Sequence, residues 1–232
     1  MSLQQIVFFD AEADDNVASL QNGVAGVSLV INPTTYQGVP LGDSYIRPTN
    51  TYFEPGNFQR LITLTSLNDL SAVNFEINGA DINGIPISET VVGPNAATVS
   101  STAEFHQVFS IIPDDVAAGV SAGVGDEGSS SWITLDRNRT NPALAVIQAE
   151  AVGTINYTVY GTASRPIEFT TNKDSGGTMV INSPYENPVS VAFTGATGDV
   201  VGNCVLNYQA LKVVVNSSNG GALRVTVLQS GI

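Results

Sequence analysis

A serine between two glycines is the first candidate for chemistry in this chain. Gly119-Val-Ser121-Ala-Gly123 has the spacing of the hydrolase nucleophile turn, in which a strained strand-to-helix turn exposes the serine. That turn needs a helix directly after the serine and a later histidine, whereas His106 comes earlier and more glycine and acid follow. A triad on a β-scaffold is the alternative, since triads are defined by geometry and not by chain order. We predict that Ser121 is not catalytic and that the protein is not an enzyme.

A glycine-rich segment overlaps this serine and matches a phosphate-binding pattern. Gly123-Val-Gly125-Asp-Glu-Gly128 fits G-x-G-x-x-G, which cradles phosphate only where it opens a helix whose amides face the anion. Asp126 and Glu127 would place two negative charges inside that cradle. The segment is therefore interpreted as a flexible acidic loop without a nucleotide.

Carboxylates are the remaining groups that could hold a metal ion through oxygen ligands. They occur as Asp114-Asp115, as Asp126-Glu127 and as the set Asp10, Glu12, Asp14 and Asp15. The N-terminal set mimics the first positions of an EF-hand, but the loop glycine and the closing glutamate are missing. The single histidine has no cysteine or second histidine to complete a conventional zinc site. We predict no metal and no cofactor, with solvated acidic loops and a surface or interface histidine.

The only tryptophan bears on carbohydrate binding. A glycosidase needs two carboxylates, which this chain has in number, but sugar clefts usually also carry aromatic platforms. Trp132 lies in a short apolar strand, Ser-Trp-Ile-Thr-Leu-Asp. Core packing or a subunit contact explains it more simply, so carbohydrate binding is a minor hypothesis.

Composition indicates an acidic component of an assembly. Only 12% of the 232 residues are charged, yet the formal net charge is −13, so the polar character comes mostly from Ser, Thr, Asn and Gln. Neutral polar surfaces of this kind suit extensive contacts between proteins. The negative balance and the scattered basic residues predict no nucleic-acid binding. The N-terminus has neither a basic leader nor a long apolar run, which predicts a cytoplasmic product without a membrane anchor.

Apolar residues recur with period two, the pattern of half-buried strands. The alternating sets are Val73, Phe75 and Ile77; Ile155, Tyr157 and Val159; Val189, Val191 and Phe193; Leu211, Val213 and Val215; and Leu223, Val225 and Val227. Phe105, Phe109 and Ile111 are expected on one face of a further strand, with His106 on the other.

Turn residues divide these strands. Asn83-Gly84 and Asn219-Gly220-Gly221 predict hairpin turns, and residues 143–160 and 210–228 each read as one hairpin. The Gly/Ser-rich stretch 119–131 and the stretch 170–177 are candidate linkers.

The fold class predicted is all-β, an antiparallel β-sandwich of jelly-roll-like type, as one large or two small sandwiches. Residues 1–57 are assigned to an extended N-terminal leader and an aromatic loop, and residues 58–232 to the sandwich, with a possible subdivision near 165–177. Within the leader, residues 10–30 are expected to form an arm or an irregular segment, with a short helix after an Asp cap as the alternative.

Several segments together resemble all-β virion proteins of tailed bacteriophages. These are residues 58–112, Trp132-Ile-Thr-Leu-Asp136, Ile155-Asn-Tyr-Thr-Val159 and the final stretch from Leu223 to Ile232. Residues 1–57 and 170–187 have no counterpart in the pattern. The resemblance implies a capsid decoration or cement protein that bridges capsid subunits. The alternative is a tail, fibre or adaptor component, with or without glycan binding.

Partners and interface residues follow from that resemblance. A cement protein would bind the major capsid protein, associate with itself as a homotrimer and reside in the virion after assembly in the host cytoplasm. Strand addition by extended arms would supply contact area without unusual chemistry. The interface candidates are Ile6, Val7, Phe8, Phe9, Tyr36, Tyr45, Tyr52, Phe53 and Trp132; covering the protein's own core is the alternative role for the arm and loop residues, and core packing is the alternative for Trp132.

Overall fold

The computed structural model describes residues 3–10, 13–32, 52–53, 57–135, 145–162, 169–170, 180–181, 187–188, 194–204 and 208–229. Within these ranges the chain forms strands, turns and loops, which confirms the all-β prediction and is consistent with a β-sandwich. No helix in the described part is long and apolar enough to cross a membrane.

Sixteen strands are described. The first nine are β1 (Leu3–Phe9), β2 (Ala13–Gly23), β3 (Tyr52–Phe53), β4 (Phe58–Ser66), β5 (Asn74–Ala80), β6 (Pro86–Val92), β7 (Thr98–Phe105), β8 (Gln107–Pro113) and β9 (Ala117–Ser130). The others are β10 (Ile133–Thr134), β11 (Ala145–Thr162), β12 (Phe169–Thr170), β13 (Val180–Ile181), β14 (Asn187–Pro188), β15 (Val200–Cys204) and β16 (Ala210–Gln229).

The strands form one large and one small antiparallel sheet, besides the short β12–β13 pair. The large sheet has the order β14-β11-β16-β9-β4-β7, with β1 and β10 also paired to β16, β15 to β11 and β2 to β9. The small sheet has the order β3-β8-β5-β6. Because β9 and β16 each pair with several partners, they join the two halves of the chain in one sheet.

Two separate clusters of buried side chains lie on this framework. The N-terminal core packs the small sheet against β2, β4 and β9, with Phe75, Ile77, Ile62 and Leu64 among its buried residues. The C-terminal core is lined by β1, β10, β11 and β16. The chain therefore builds two apolar centres that share the large sheet, and the candidate boundary at 165–177 lies almost wholly outside the described residues.

The two longest strands form a bent ribbon. β11 and β16 pair from Ala145 opposite Gln229 to Thr162 opposite Ala210, with register shifts at Thr154 and between Asn156 and Tyr157. Odd-numbered apolar residues face the C-terminal core on both sides of the bend, so the ribbon curls around its own apolar face. Residues 143–160 and 210–228 were each expected to be a hairpin, and this is wrong for their described parts.

Glycines explain why these sequences bend without turning back. Gly153 and Gly220 have φ values of 76° and 64°, a region that glycine enters without strain. A Cβ at Gly221 would lie 2.5 Å from the carbonyl oxygen of Thr154, so the two strands touch at the bend. The Asn219-Gly220-Gly221 segment is thus a bulge in a long strand, whereas Asn83-Gly84 does connect the paired strands β5 and β6, as predicted.

The candidate linker at 119–131 is also a misprediction, because β9 occupies its first twelve residues. β9 pairs with β4 on one edge and with β2 and β16 on the other, which places it inside the large sheet. Small residues suit this position: a Cβ at Gly128 would lie 2.5 Å from the carbonyl oxygen of Gln59. Gly and Ser here allow close packing of strands, not flexibility.

The stretch around His106 crosses from one sheet to the other. β7 ends at Phe105 in the large sheet, and β8 begins at Gln107 in the small sheet. A register shift between Asn78 and Gly79 skips one residue of β8, so Val108 is buried and Phe109 is 43% exposed. The expectation that Phe109 shares a buried face with Phe105 and Ile111 is therefore wrong.

The first two strands of the N-terminal leader belong to the large sheet, whereas β3 belongs to the small one. β1 pairs along its length with β16, and β2 pairs with β9 through several register shifts. This differs from the arm or irregular segment expected for residues 10–30, because Val17 and Ala18 of β2 are fully buried in the N-terminal core.

Candidate functional site

The structure separates the serine and histidine of the hydrolase-like pattern. Ser121 lies within β9 opposite Thr65 of β4 and is 6% exposed. His106 lies at the other end of β4, where its Nδ1 is 2.7 Å from the carbonyl oxygen of Phe58. Phe58 and Thr65 are seven residues apart on one strand, which corresponds to roughly 20 Å. Because a carbonyl oxygen only accepts hydrogen bonds, Nδ1 carries the proton. His106 therefore donates a hydrogen bond to the backbone of β4.

The G-x-G-x-x-G segment lies inside β9 and not in a loop. Gly125 and Gly128 are buried between neighbouring strands, and the carbonyl oxygen of Gly125 accepts hydrogen bonds from Nε and Nη2 of Arg60. A phosphate site needs free amides at the start of a helix, and these amides belong to a strand. The interpretation of this segment as a flexible acidic loop is wrong.

Arg60 is a buried cation that the sequence analysis missed. Its side chain is fully buried; besides Gly125 it donates from Nη1 to the carbonyl oxygen of Asp10 at 3.0 Å, and it lies over the Phe9 ring. The signal was present in the sequence, because Arg60 occupies the inward position between Phe58 and Ile62 in the alternation of β4. The guanidinium joins β1, β4 and β9.

A second polar cluster joins the same region of the large sheet on its other face. Nε2 of Gln59 is 2.8 Å from Oε2 of Glu104 and 3.2 Å from Oγ of Ser129, and Ser129 also donates a short hydrogen bond to Glu104. Oε1 of Gln59 accepts from the amide of Ile82 at 3.2 Å. Ser129 is 3% exposed, so its hydroxyl is engaged in the sheet and turned away from solvent. This cluster holds three strands and the β5–β6 loop together.

Acidic side chains in the described ranges accept hydrogen bonds that fix the local backbone. No group of three or more His, Cys, Asp or Glu residues within them is arranged to hold a metal ion. The Asp114 carboxylate accepts from the side chain and the amide of Asn74 at 2.7 and 2.8 Å, and these bonds lower the pKa of Asp114. The pKa of Asp69 is lowered in the same way by Ser71.

The predicted interface residues divide between core and surface. Val7 and Phe9 are buried in the C-terminal core, Phe8 is half-buried, and Ile6 is 44% exposed. Trp132 is half-buried, with Nζ of Lys212 at 5.9 Å from its ring centroid. The remaining four are the aromatic-loop candidates. The backbones of Tyr52 and Phe53 pair with β8 as β3, and Tyr36 and Tyr45 lie outside the described residues.

Charge is distributed unequally along the chain. Residues 1–131 contain fifteen acidic residues and two arginines, Arg47 and Arg60, whereas residues 132–232 contain six residues of each sign. The whole formal charge of −13 therefore belongs to the segment that carries the N-terminal core. Since Arg60 is buried, no described basic side chain of that segment offsets the exposed carboxylates.

In the described part, several polar side chains of types used in catalysis instead form hydrogen bonds between strands. The surface of this part has an acidic half and a neutral half. Comparisons of the chain with protein-family models, with curated proteins and with solved structures found no match.

Proposed function

We propose that this protein is a structural component of a bacteriophage particle, and that it decorates the capsid and stabilises the head by bridging capsid subunits. It acts by contact and catalyses no reaction. The proposal rests on the resemblance stated above for residues 58–112 and three shorter segments. The observation that supports it best is that His106, Glu104 and Ser129 are used in contacts between strands and loops.

The outer face of the β11–β16 ribbon suits this role. Nδ2 of Asn216 donates to Oδ1 of Asn156 at 2.7 Å and to Oγ1 of Thr158 at 3.2 Å across the two strands. Oγ1 of Thr158 also accepts from the amide of Gly195 at 3.1 Å. Thr158 is itself buried, whereas Asn156 and Asn216 reach the surface, are uncharged and are already ordered. A partner that covers these two asparagines therefore loses little free energy to desolvation of charge or to ordering of side chains.

An open strand edge offers a second mode of contact. β1 pairs with β16 on one side, and no strand of the described part pairs with its other edge. Such an edge binds an extended segment of a neighbour through backbone hydrogen bonds. Ile6, on the exposed face of β1, would flank a segment bound there.

Assembly and head binding test the proposal. The expected results are a homotrimer by native mass spectrometry, saturable binding to purified heads that lack the protein, and a higher disruption temperature of the decorated heads. The proposed partner is the major capsid protein. Several interfaces of standard size, about 1,200 to 2,000 Å² each, would provide the stabilisation.

The control is binding to purified tails of the same phage. Binding to tails and not to heads would replace the decoration role with a tail, fibre or adaptor role, for which a glycan array is the next measurement. Failure to bind any particle, or turnover of a substrate lost on replacement of Ser129 or Glu104, would overturn the proposal.

A further inference from the structure

One end of the N-terminal core exposes a group of aliphatic side chains. Val24, Val27, Val116 and Leu67 are 59%, 56%, 65% and 90% exposed, and we refer to these four residues as the apolar end. Each lies in a connection beside a strand end: after β2, before β9 or after β4. Isolated exposed aliphatic residues are ordinary, but a group at one end of a fold marks an interaction surface.

The contacts between strands bring these residues together. Gly23 of β2 pairs with Ala117 of β9, and continuing the antiparallel register by one residue places Val24 beside Val116. Nδ2 of Asn68 donates to the carbonyl oxygen of Ala118 at 2.8 Å, which holds the Leu67 connection against the start of β9.

The exposed valines are held in place by a turn. The amide of Val27 donates to the carbonyl oxygen of Val24 at 3.0 Å, and the amide of Gly26 donates to that of Pro113 at 2.8 Å. Gly26 has a φ of 70°, which such a turn accommodates without strain. An ordered apolar surface loses little conformational freedom when a partner covers it, so its burial contributes more fully to affinity.

Three exposed carboxylates lie close to these residues along the chain, and they indicate the charge of the partner. Asp115 is next to Val116, Asp114 precedes it, and Asp69 is two residues from Leu67; all three are exposed. The basic side chains of the described part that reach the surface are Lys212, which is half-buried, and Arg224, which is exposed, and both belong to β16. Two copies of the apolar end placed face to face would bring like charges together, which disfavours self-association through this end.

We propose that the apolar end docks on the major capsid protein, at a site with an apolar centre and a rim of Lys and Arg side chains. This inference rests on the proposed function and adds to it the face that makes the contact and the chemistry of the partner surface. Burial of the aliphatic side chains supplies the affinity. The carboxylates steer the approach and select against neutral or acidic surfaces.

The test uses the full-length protein and purified heads that lack it. The double variant Val24→Ser, Val27→Ser is compared with the matched control Val30→Ser, Val201→Ser, whose valines are 65% and 69% exposed and lie outside the apolar end. The apolar-end variant is expected to bind roughly tenfold or more weakly, and the control to bind as the wild type does, since only the first pair loses buried apolar area. Circular dichroism and urea unfolding verify that all variants fold.

The charge rim is tested separately with Asp115→Asn and the control Glu127→Gln, each of which removes one exposed carboxylate. Asp115→Asn is expected to slow association with heads and to reduce its salt dependence, because screening acts on the same steering charges. The control, in β9 and outside the apolar end, is expected to change neither.

Each outcome decides one of the two proposals. Equal binding by the two valine pairs, with wild type bound to heads, overturns docking at the apolar end and leaves the decoration role standing. Homomeric association that the Val24, Val27 variant abolishes also overturns the choice of partner. Failure of the wild type to bind heads removes the decoration role, and the docking inference falls with it.

Discussion

The guanidinium carbon of Arg60 lies 4.1 Å from the centroid of the Phe9 ring. Arg60 is on β4 and Phe9 is the last residue of β1, and both side chains are fully buried. Phe9 also packs edge-on against Phe58, with ring centroids 5.2 Å apart. These ring contacts connect β1, which pairs with β16, to β4, which lines the N-terminal core.

Arg60→Ala tests this connection. The variant loses hydrogen bonds to two buried or partly buried carbonyl groups and the packing of the guanidinium on the Phe9 ring. Its free energy of unfolding is therefore expected to be about 3 kcal/mol lower. Urea unfolding at neutral pH measures the difference. Arg224→Ala is the control: Arg224 is exposed and lies 3.5 Å from Glu150, so its loss is expected to cost less than about 1 kcal/mol. Equal losses in the two variants would contradict a locking role for Arg60.

The bend in the β11–β16 ribbon predicts an order among three alanine variants. Gly221→Ala would press a Cβ against Thr154 of the opposite strand and is expected to cost about 2 to 3 kcal/mol. Gly220→Ala meets no atom but keeps a positive φ, which costs about 1 kcal/mol. Gly198→Ala, with open space and no positive φ, is expected to be close to neutral. Thermal unfolding ranks the three, and a Gly221 variant as mild as the Gly198 variant would argue against contact at the bend.

Tyr157 predicts a loss of stability at high pH. Its hydroxyl donates to the carbonyl oxygen of Gly198 at 2.7 Å; burial and the neighbouring Asp199 raise its pKa to about 12. A pKa above the ordinary value of about 10 means that the neutral phenol stabilises the fold fully below pH 10, and that this stabilisation is lost as the pH rises towards 12.

Tyr157→Phe separates this contribution from that of the other tyrosines. Near neutral pH the variant is expected to be about 1 kcal/mol less stable, because the hydrogen bond is lost. Above pH 10 the wild type is expected to lose stability faster than the variant does, so the difference between their free energies of unfolding narrows. Urea unfolding at about pH 7, 9 and 11 measures the difference in stability between the wild type and the variant. A difference that stays constant with pH would contradict the raised pKa of Tyr157.

Glu89 bridges the edges of the two sheets. Its carboxylate on β6 accepts from the amide and hydroxyl of Thr102 and from the amide of Ala103 on β7, each at 2.8 Å. Glu89→Gln would turn an amide donor towards one of these donors and is expected to cost about 1.5 to 3 kcal/mol. Glu76→Gln is the matched control, since Glu76 is exposed and makes one 3.4 Å contact with Ser88. If the urea midpoints of the two variants shift by the same amount, the effect of Glu89→Gln comes from the change in net charge and not from its hydrogen bonds.

The polar cluster on the large sheet shows how far a candidate site can be read from the sequence. Alternation places Gln59 and Leu61 on one face of β4, but it does not name their neighbours. Ser129 lies opposite Gln59 and Glu104 opposite Leu61 only because of the registers of β9 and β7. Ser121, which the sequence pattern singled out, lies near the other end of the same strand pair. Side chains far apart in the chain meet through register, and register depends on the assembled sheet.

Local pattern alone determined that this chain forms antiparallel strands with apolar faces, because burial of alternate residues is a property of each strand. It also determined the Asn83-Gly84 hairpin. The equally strong signal at Asn219-Gly220 became a bend, since β11 runs beside β16 through that point and pairs with it on both sides. Only the tertiary structure decided this, because a glycine permits a turn and a bulge alike, and the free energy of the partner strand selects between them.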